Sequence, residues 1–299
     1  MDSMGFSMHK RFSVPLLLIL LSALSLPSYG LTLKWAGCGI TKKAFMTELA
    51  EAYERKSGIK IEIDGGGATQ GIRKISEQTV DLAGSCRFRV PEDEVSTSQI
   101  QFNPVAWDAL TVVVHKSNPV ETVSLDQLRD IFAGKIRNWS ALGGPDQPLE
   151  LLVREGKISG VGYTIRKLLF NDEAMDFKAG VAFKSSGPLE KAVEENPNAI
   201  AVTGVSSARK RDFKILHLEG KEPNIENIKH GDYLLYRPLY IVTNMQSENL
   251  RAVKDFIAFA HSKEGREIIR NNGSVPYLEA VQLSSNIQRQ WKEARQIDN

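Results

Sequence analysis

Cysteine and histidine are scarce: two and five, spread over 299 residues. No Cys-x-x-Cys, His-x-x-x-His or calcium-loop spacing occurs, so a dedicated metal site is not expected. Charge of one sign is missing too. Lysine and arginine total 38 against 36 acidic residues, a formal net charge of +2, and the one short basic cluster, Arg209-Lys210-Arg211, reads as a solvated turn. A general nucleic-acid or membrane-surface binder would need a clustered basic excess, and both are excluded on that ground. Low-complexity runs and fixed-period repeats are absent, and residues 65–71 do not meet the G-x-G-x-x-G spacing of a dinucleotide loop. What is left, 42% hydrophobic, 25% charged and 8% aromatic, is the composition of an ordinary globular protein.

Long apolar runs are confined to the N-terminus. Lys10 and Arg11 precede an apolar stretch at residues 14–26, followed by Ser28-Tyr29-Gly30. This is the pattern of a cleaved export signal over residues 1–30. The stretch is shorter than the roughly 20 residues that cross a bilayer. The mature chain is expected to begin near Leu31 and to work in the periplasm. Trp35-Ala36-Gly37-Cys38 superficially resembles a lipid-attachment site, but Thr32 and Lys34 separate it from the apolar stretch, and Cys38 is expected to stay inside the fold.

Periodicity gives alternating strands and helices. Strands are expected at 31–36, 59–63 and 80–83, with a helix around Ala44, Phe45, Leu49 and Tyr53 and another from Gln70 that buries Ile72 and Ile75. Further on come an apolar stretch at 107–115, helix signals at Ser124-Leu125-Asp126-Gln127-Leu128, strands at 149–153 and 199–202, and helical patterns at 163–170 and 189–195. A long strand at 233–243 returns across the molecule, followed by helices at 250–259 and 265–270. This alternation argues for α/β architecture with mostly parallel sheets. Two lobes joined by two crossing strands are expected, residues 31–108 with 240–299 forming one and 109–239 the other.

Three glycine-bearing segments fall between a strand and a helix: Gly37-Cys38-Gly39-Ile40-Thr41, Gly65-Gly66-Gly67-Ala68-Thr69-Gln70-Gly71 and Arg154-Glu155-Gly156-Lys157-Ile158-Ser159-Gly160-Val161-Gly162. A turn of this kind leaves backbone N–H groups without partners where the helix dipole is positive, which is a cradle for an anion. Three such loops and an arginine suggest closure around a small oxyanion. Ligands of open α/β sheets bind at the carboxyl ends of the strands. With strand order 2-1-3, Cys38 and Cys86 stand at adjacent strand ends, and a disulfide between them is expected, with two buried free thiols as the alternative. A catalytic thiol would need a base nearby, yet His115, His217, His230 and His261 lie far in sequence from both cysteines. No catalytic step and no cofactor are expected.

These residues resemble the phosphate-binding branch of the periplasmic solute-binding proteins of ABC transporters. The first two glycine loops look like that family's first two ligand loops, and Val80-Asp81-Leu82-Ala83-Gly84-Ser85 like the strand carrying its third. Gly134-Lys135-Ile136-Arg137-Asn138-Trp139-Ser140-Ala141-Leu142-Gly143-Gly144 is the most specific match, and Arg154 followed by Ser159-Gly160 resembles the second-lobe clamp. The resemblance implies a two-lobed type II binding-protein fold, a monomer that captures inorganic phosphate for a membrane-bound ABC permease. It implies ligand contacts from Gly39, Ile40, Thr41, Gly67, Ala68, Thr69, Ser85, Cys86, Arg87, Arg154, Ser159, Gly160 and Val161. The departures are Ala68 where the family commonly has serine, Cys86 where it often has aspartate or serine, and Val161 where it has threonine, with Thr164 as a substitute hydroxyl. Without the aspartate that accepts the proton of phosphate, another oxyanion such as sulfate, molybdate or tungstate, or a sensor's use of the same fold, stays open.

Overall fold

The structure, a computed structural model, describes residues 30–90 and 99–294; the expected export signal lies outside the described residues. The chain opens with β1 (Thr32–Gly37), which buries Leu33 and Trp35. At Gly39 the backbone turns into α1 (Gly39–Thr41), continues through a π turn (Lys42–Met46) and becomes α2 (Thr47–Ser57). α2 ends where Gly58 adopts φ +74°, a left-handed conformation that glycine takes at little cost. β2 (Lys60–Asp64), α3 (Ala68–Ser76) and β3 (Leu82–Ser85) follow. The strands are parallel in the order β2-β1-β3, as the alternation predicts.

β4 (Ile100–Val114) is 15 residues long, about 50 Å at the usual rise per residue. It starts seven residues before the apolar stretch beginning at Trp107, because its first third lies on a partly exposed edge and carries Gln101, Asn103 and Pro104 rather than a continuous apolar run. Pro104 pairs with Tyr240 beside a shift in strand register, a place where a missing N–H is tolerated. Next come β5 (Thr122–Val123) and α4 (Leu125–Phe132), whose start is fixed by a reciprocal capping box between Ser124 and Gln127.

The second half of the sheet contains β6 (Glu150–Arg154), β7 (Val181–Phe183) and β8 (Ala199–Gly204), with β6 parallel to both neighbours. Between them lie α5 (Gly160–Ile165), which runs into a second π turn (Arg166–Phe170), and α6 (Ser186–Glu195). α7 (Val205–Ala208), β9 (Lys214–Ile215), β10 (His217–Leu218) and α8 (Ile225–His230) lead to β11 (Tyr236–Asn244), which is antiparallel to both β3 and β4. α9 (Leu250–His261), α10 (Lys263–Asn271), β12 (Val275–Pro276) and α11 (Gln282–Glu293) are the last elements among the described residues.

The strand path is β2-β1-β3-β11-β4-β8-β6-β7. β4 takes part in both halves: its N-terminal part pairs with β11 and its C-terminal part with β8. One core packs Trp35, Phe45, Leu49, Leu239 and Phe256 between the first half of the sheet and its helices. The other gathers Leu110, Val112, Leu128, Leu168 and Val202, and Ala280 and Leu283 reach it from the C-terminal end. The tryptophan motif is a packing element. Trp139 is buried and its Nε1 donates to Asn198 O at 3.1 Å, with Asn138 capping the short turn that follows.

Candidate functional site: a cleft between two uncapped helices

A cavity of about 530 Å³ opens between the two halves. From the first half it is lined by Cys38, Gly67, Ala68, Thr69, Arg73 and Cys86, and from the second by Arg154, Glu155, Ile158, Ser159, Gly160 and Lys184. Three cationic side chains thus face it against one carboxylate. A neighbouring cavity of about 450 Å³ shares Gly66, Gly67 and Arg154 with it and adds Gly39, Lys42, Lys43 and Lys210.

The donors come from backbone. α3 begins after Gly67, whose φ of +89° turns the chain sharply into the helix, and α5 begins after Ser159. Among the described residues neither helix start receives a side-chain cap; the Ser159 hydroxyl donates backwards to Gly156 O at 3.0 Å instead. The first-turn N–H groups of a helix have no intrahelical acceptor, so Ala68, Thr69 and Gly160 bring unsatisfied positive ends of two dipoles to one cavity. The halves touch here, since Thr69 Oγ1 donates to Ile158 O at 3.2 Å.

Arg154 lies half-buried at the cavity wall, and burial lowers its pKa; the guanidinium nevertheless keeps its charge. Nε donates to Phe183 O at 3.1 Å, Nη1 to Ser186 Oγ at 3.0 Å and Nη2 to Lys184 O at 2.5 Å. Three of its five N–H donors are therefore held by the protein, and two remain for a ligand.

The sequence places several other residues at the ligand that the fold turns inward. Thr41 is fully buried, its N–H directed to Cys38 Sγ at 3.4 Å and its hydroxyl to Cys38 O at 2.9 Å. Ile40 and Val161 sit in the two cores. Ser85 Oγ donates to Arg87 O at 3.0 Å, and the buried Arg87 sends Nη1 to Phe88 O at 3.0 Å; neither residue lines the cavities. Thr164, the substitute hydroxyl, donates to Gly160 O at 2.8 Å. Gly39 lines the neighbouring cavity only.

The expected Cys38–Cys86 disulfide is absent; both are free, buried thiols. They do stand at the paired ends of β1 and β3, where Gly37 lies opposite Gly84. Cys38 Sγ serves as the N-cap of α1, accepting from Thr41 N–H at 3.4 Å. Burial would push the Cys38 thiol up, but hydrogen bonds from Cys86 and Thr41 and the Arg237 charge outweigh it and hold it at about 6, below its ordinary 9.0. Cys86 moves the other way, because its hydrogen bond to Cys38, its burial and the charge of an ionised Cys38 all keep its proton on.

A profile of the PBP superfamily domain matches residues 36–264. This chain belongs to the PBP superfamily. Among relatives of this PBP chain, the phosphate-binding protein PstS of Borreliella burgdorferi is 27% identical over 248 residues, covering 79% of this chain and 87% of the relative. PstS of Bacillus subtilis is 25% identical over 224 residues, covering 75% and 73%. A crystal structure from Clostridium perfringens, described as a phosphate ABC transporter substrate-binding protein with bound phosphate, superposes with a TM-score of 0.74 at 26% identity, covering 82% of this chain and 99% of the other.

Two charged pairs of this PBP chain escape the sequence reading. Arg237 in β11 and Asp108 in β4 stand opposite each other in register, both fully buried, with Nη2 3.3 Å from Oδ2. Arg237 Nη1 also donates to Cys86 O at 2.8 Å and Gly160 O at 3.4 Å, tying both halves of the site together. Asp108 accepts Ser206 N–H at 3.2 Å, and burial pushes its carboxyl up against the opposing pull of Arg237. Across the neighbouring cavity Lys43 Nζ meets the fully buried Glu190 at 2.9 Å, and Glu190 also holds Thr203, Ser207 and Arg211. The available signal was a charge inside an otherwise apolar strand, at Asp108 and at Arg237.

Proposed function

We propose that this chain is an exported binding protein that captures an inorganic oxyanion, phosphate first, in the cleft between its halves and passes it to an ABC permease in the membrane. The observation that carries this reading is the pair of uncapped helix starts, α3 and α5, facing one cavity from opposite halves beside Arg154. Capture needs no covalent step. Closure replaces the water shell of the anion with fixed N–H donors and the two guanidinium N–H groups of Arg154 that the protein leaves unused. The names of the PstS relatives and the bound phosphate of the Clostridium perfringens structure support the same choice of anion.

Working lobes of residues 31–108 with 240–299 and of 109–239, a monomeric state, and a periplasmic location after removal of residues 1–30 belong to this proposal. Among the described residues no helix is long and apolar enough to cross a membrane. No histidine lines either cavity, which favours binding over a thiol-dependent reaction. The cavity has thiols and Ala68 where hydroxyl donors are expected, and the hydroxyls of Thr69 and Ser159 are turned to backbone carbonyls, so a fully ionised anion such as sulfate is the second reading.

Thermal melting of the mature protein against phosphate, arsenate, sulfate, molybdate and tungstate separates the two. A ligand present at a thousand times its Kd stabilises by about 4 kcal/mol. A shift with phosphate and arsenate is expected; a shift with sulfate alone would replace phosphate by the second reading, and no shift with any anion would overturn both.

A further inference from the structure

The cavity combines two kinds of donor that oxyanion capture does not need together. One kind is hard: the N–H groups at the starts of α3 and α5 and the two free donors of Arg154. The other is soft: Cys38 and Cys86 are both free, both line the cavity, and follow the paired ends of β1 and β3, where Gly37 lies opposite Gly84. Cys86 Sγ is also packed so closely against Gly160 of the opposite half that any Cβ there would collide with it. The thiol pair therefore sits at the point where the halves meet, beneath the oxyanion donors.

A bare thiophilic cation fits this setting poorly. Arg154 and Arg237 both act on the thiol pair, and among the described residues there is no cluster of three or more His, Cys, Asp or Glu to complete a metal's shell. Soft sulfur donors choose soft acceptors, while the surrounding N–H groups choose oxygen. A single ligand that satisfies both is the uncharged oxyacid of a trivalent, thiophilic element.

We propose that the Cys38–Cys86 dithiol is a capture site for trivalent arsenic, taken up as arsenous acid. Cys38 sulfur, as its thiolate, attacks arsenic, one As–O bond breaks, and the hydroxyl leaves as water with a proton taken from solvent. Cys86 sulfur displaces a second hydroxyl, which leaves as water with the proton of the Cys86 thiol. Two As–S bonds replace two As–O bonds, two waters leave, arsenic stays trivalent and no oxidant is involved. The hydroxyl that remains on arsenic accepts from the N–H donors of the cleft. The site needs the cavity and its donors, but it does not need phosphate to be the transported anion.

The test uses the mature, reduced protein and sodium arsenite. Alkylation of the two cysteines by iodoacetamide is followed by mass spectrometry with and without arsenite, alongside thermal melting. Arsenite is expected to protect both cysteines together, to raise the melting temperature, and to be displaced by excess of a small dithiol. Cys38→Ser and Cys86→Ser, each checked for cooperative unfolding, are expected to bind arsenite about 100-fold more weakly, since one sulfur loses the gain of simultaneous attachment. Unchanged alkylation in the presence of arsenite, or equal arsenite binding by a folded single variant, overturns the proposal. The wild-type protection measurement decides it even where a variant fails to fold. A phosphate-induced melting shift without arsenite protection sinks this inference alone; arsenite protection without any oxyanion shift sinks only the transport reading.

Discussion

Arg154 is one of three cationic side chains facing the cavity, and on the proposed function its geometry defines what its loss should do. Two N–H donors remain on a guanidinium otherwise anchored to Phe183 O, Ser186 Oγ and Lys184 O; on the proposed function they would form charge-assisted bonds to the anion worth roughly 1.5–3 kcal/mol each. Arg154→Ala is therefore expected to weaken phosphate binding by about 3 kcal/mol in isothermal titration, and unchanged affinity would remove Arg154 from the site. Cys38 gives a second residue-level expectation. Its folded pKa is about 6 against an ordinary 9.0, so in the window between these values the unfolded chain holds a proton that the native protein has released. Stability from this group is fully present above 9, declines as pH falls towards 6, and is gone below it. Alkylation of Cys38 should accordingly rise through about pH 6, and a titration midpoint near 9 would show that the thiolate is not stabilised. Neither behaviour was legible in the chain alone: that a cysteine ends β1 is sequence, but the partners that hold its thiolate come from Thr41, Cys86 and a strand 200 residues away.

At the scale of elements, the β4–β11 pair is both a support and a join. Asp108 and Arg237 face each other inside it without exposure to solvent. Removing one partner of a buried pair leaves an uncompensated charge, at a cost of about 3–5 kcal/mol. Asp108→Ala is expected to lose stability of that order in urea unfolding, and because Arg237 also holds Cys86 O and Gly160 O, to lose anion affinity as well. A variant as stable as the wild type would show that the pair is not closed in solution. The start of α5 makes a parallel case. Gly160 has no room for a side chain because Cys86 Sγ occupies that space, so Gly160→Ala is expected to leave each half folded while blocking their approach. Circular dichroism near the wild-type spectrum together with lost phosphate binding is the expected pair of results; retained binding would mean that the cleft closes differently.

For the whole molecule the question is how the two halves are held across the cleft. Lys43 from the first half reaches Glu190 in α6 at 2.9 Å, and Lys210 Nζ from the second reaches Lys43 O at 2.8 Å. Glu190 is fully buried and four side chains converge on it, so Lys43 docks onto a prebuilt acceptor. Lys43→Met is expected to favour the open arrangement and lower phosphate affinity about tenfold, the equivalent of about 1.4 kcal/mol, with a larger radius of gyration by small-angle scattering of the ligand-free protein. Identical scattering and affinity would show that this bridge is not a latch.

The chain by itself determined the alternation of strands and helices, the 2-1-3 order that brings Cys38 beside Cys86, and the glycine turns before α3 and α5, because periodicity, turn residues and caps are local properties. It also determined Ala68, Thr69, Arg154, Ser159 and Gly160 as cavity residues, since each lies at a strand end or helix start. Tertiary structure decided the rest. Thr41, Ser85 and Thr164 turn their hydroxyls to nearby backbone carbonyls, and Ile40 and Val161 are claimed by the cores, because a buried donor takes whichever acceptor packing brings within reach and an apolar side chain leaves water wherever it can. Arg237, Asp108, Lys43 and Glu190 acquire roles only through partners 129 and 147 positions away, a distance along the chain that no local pattern spans.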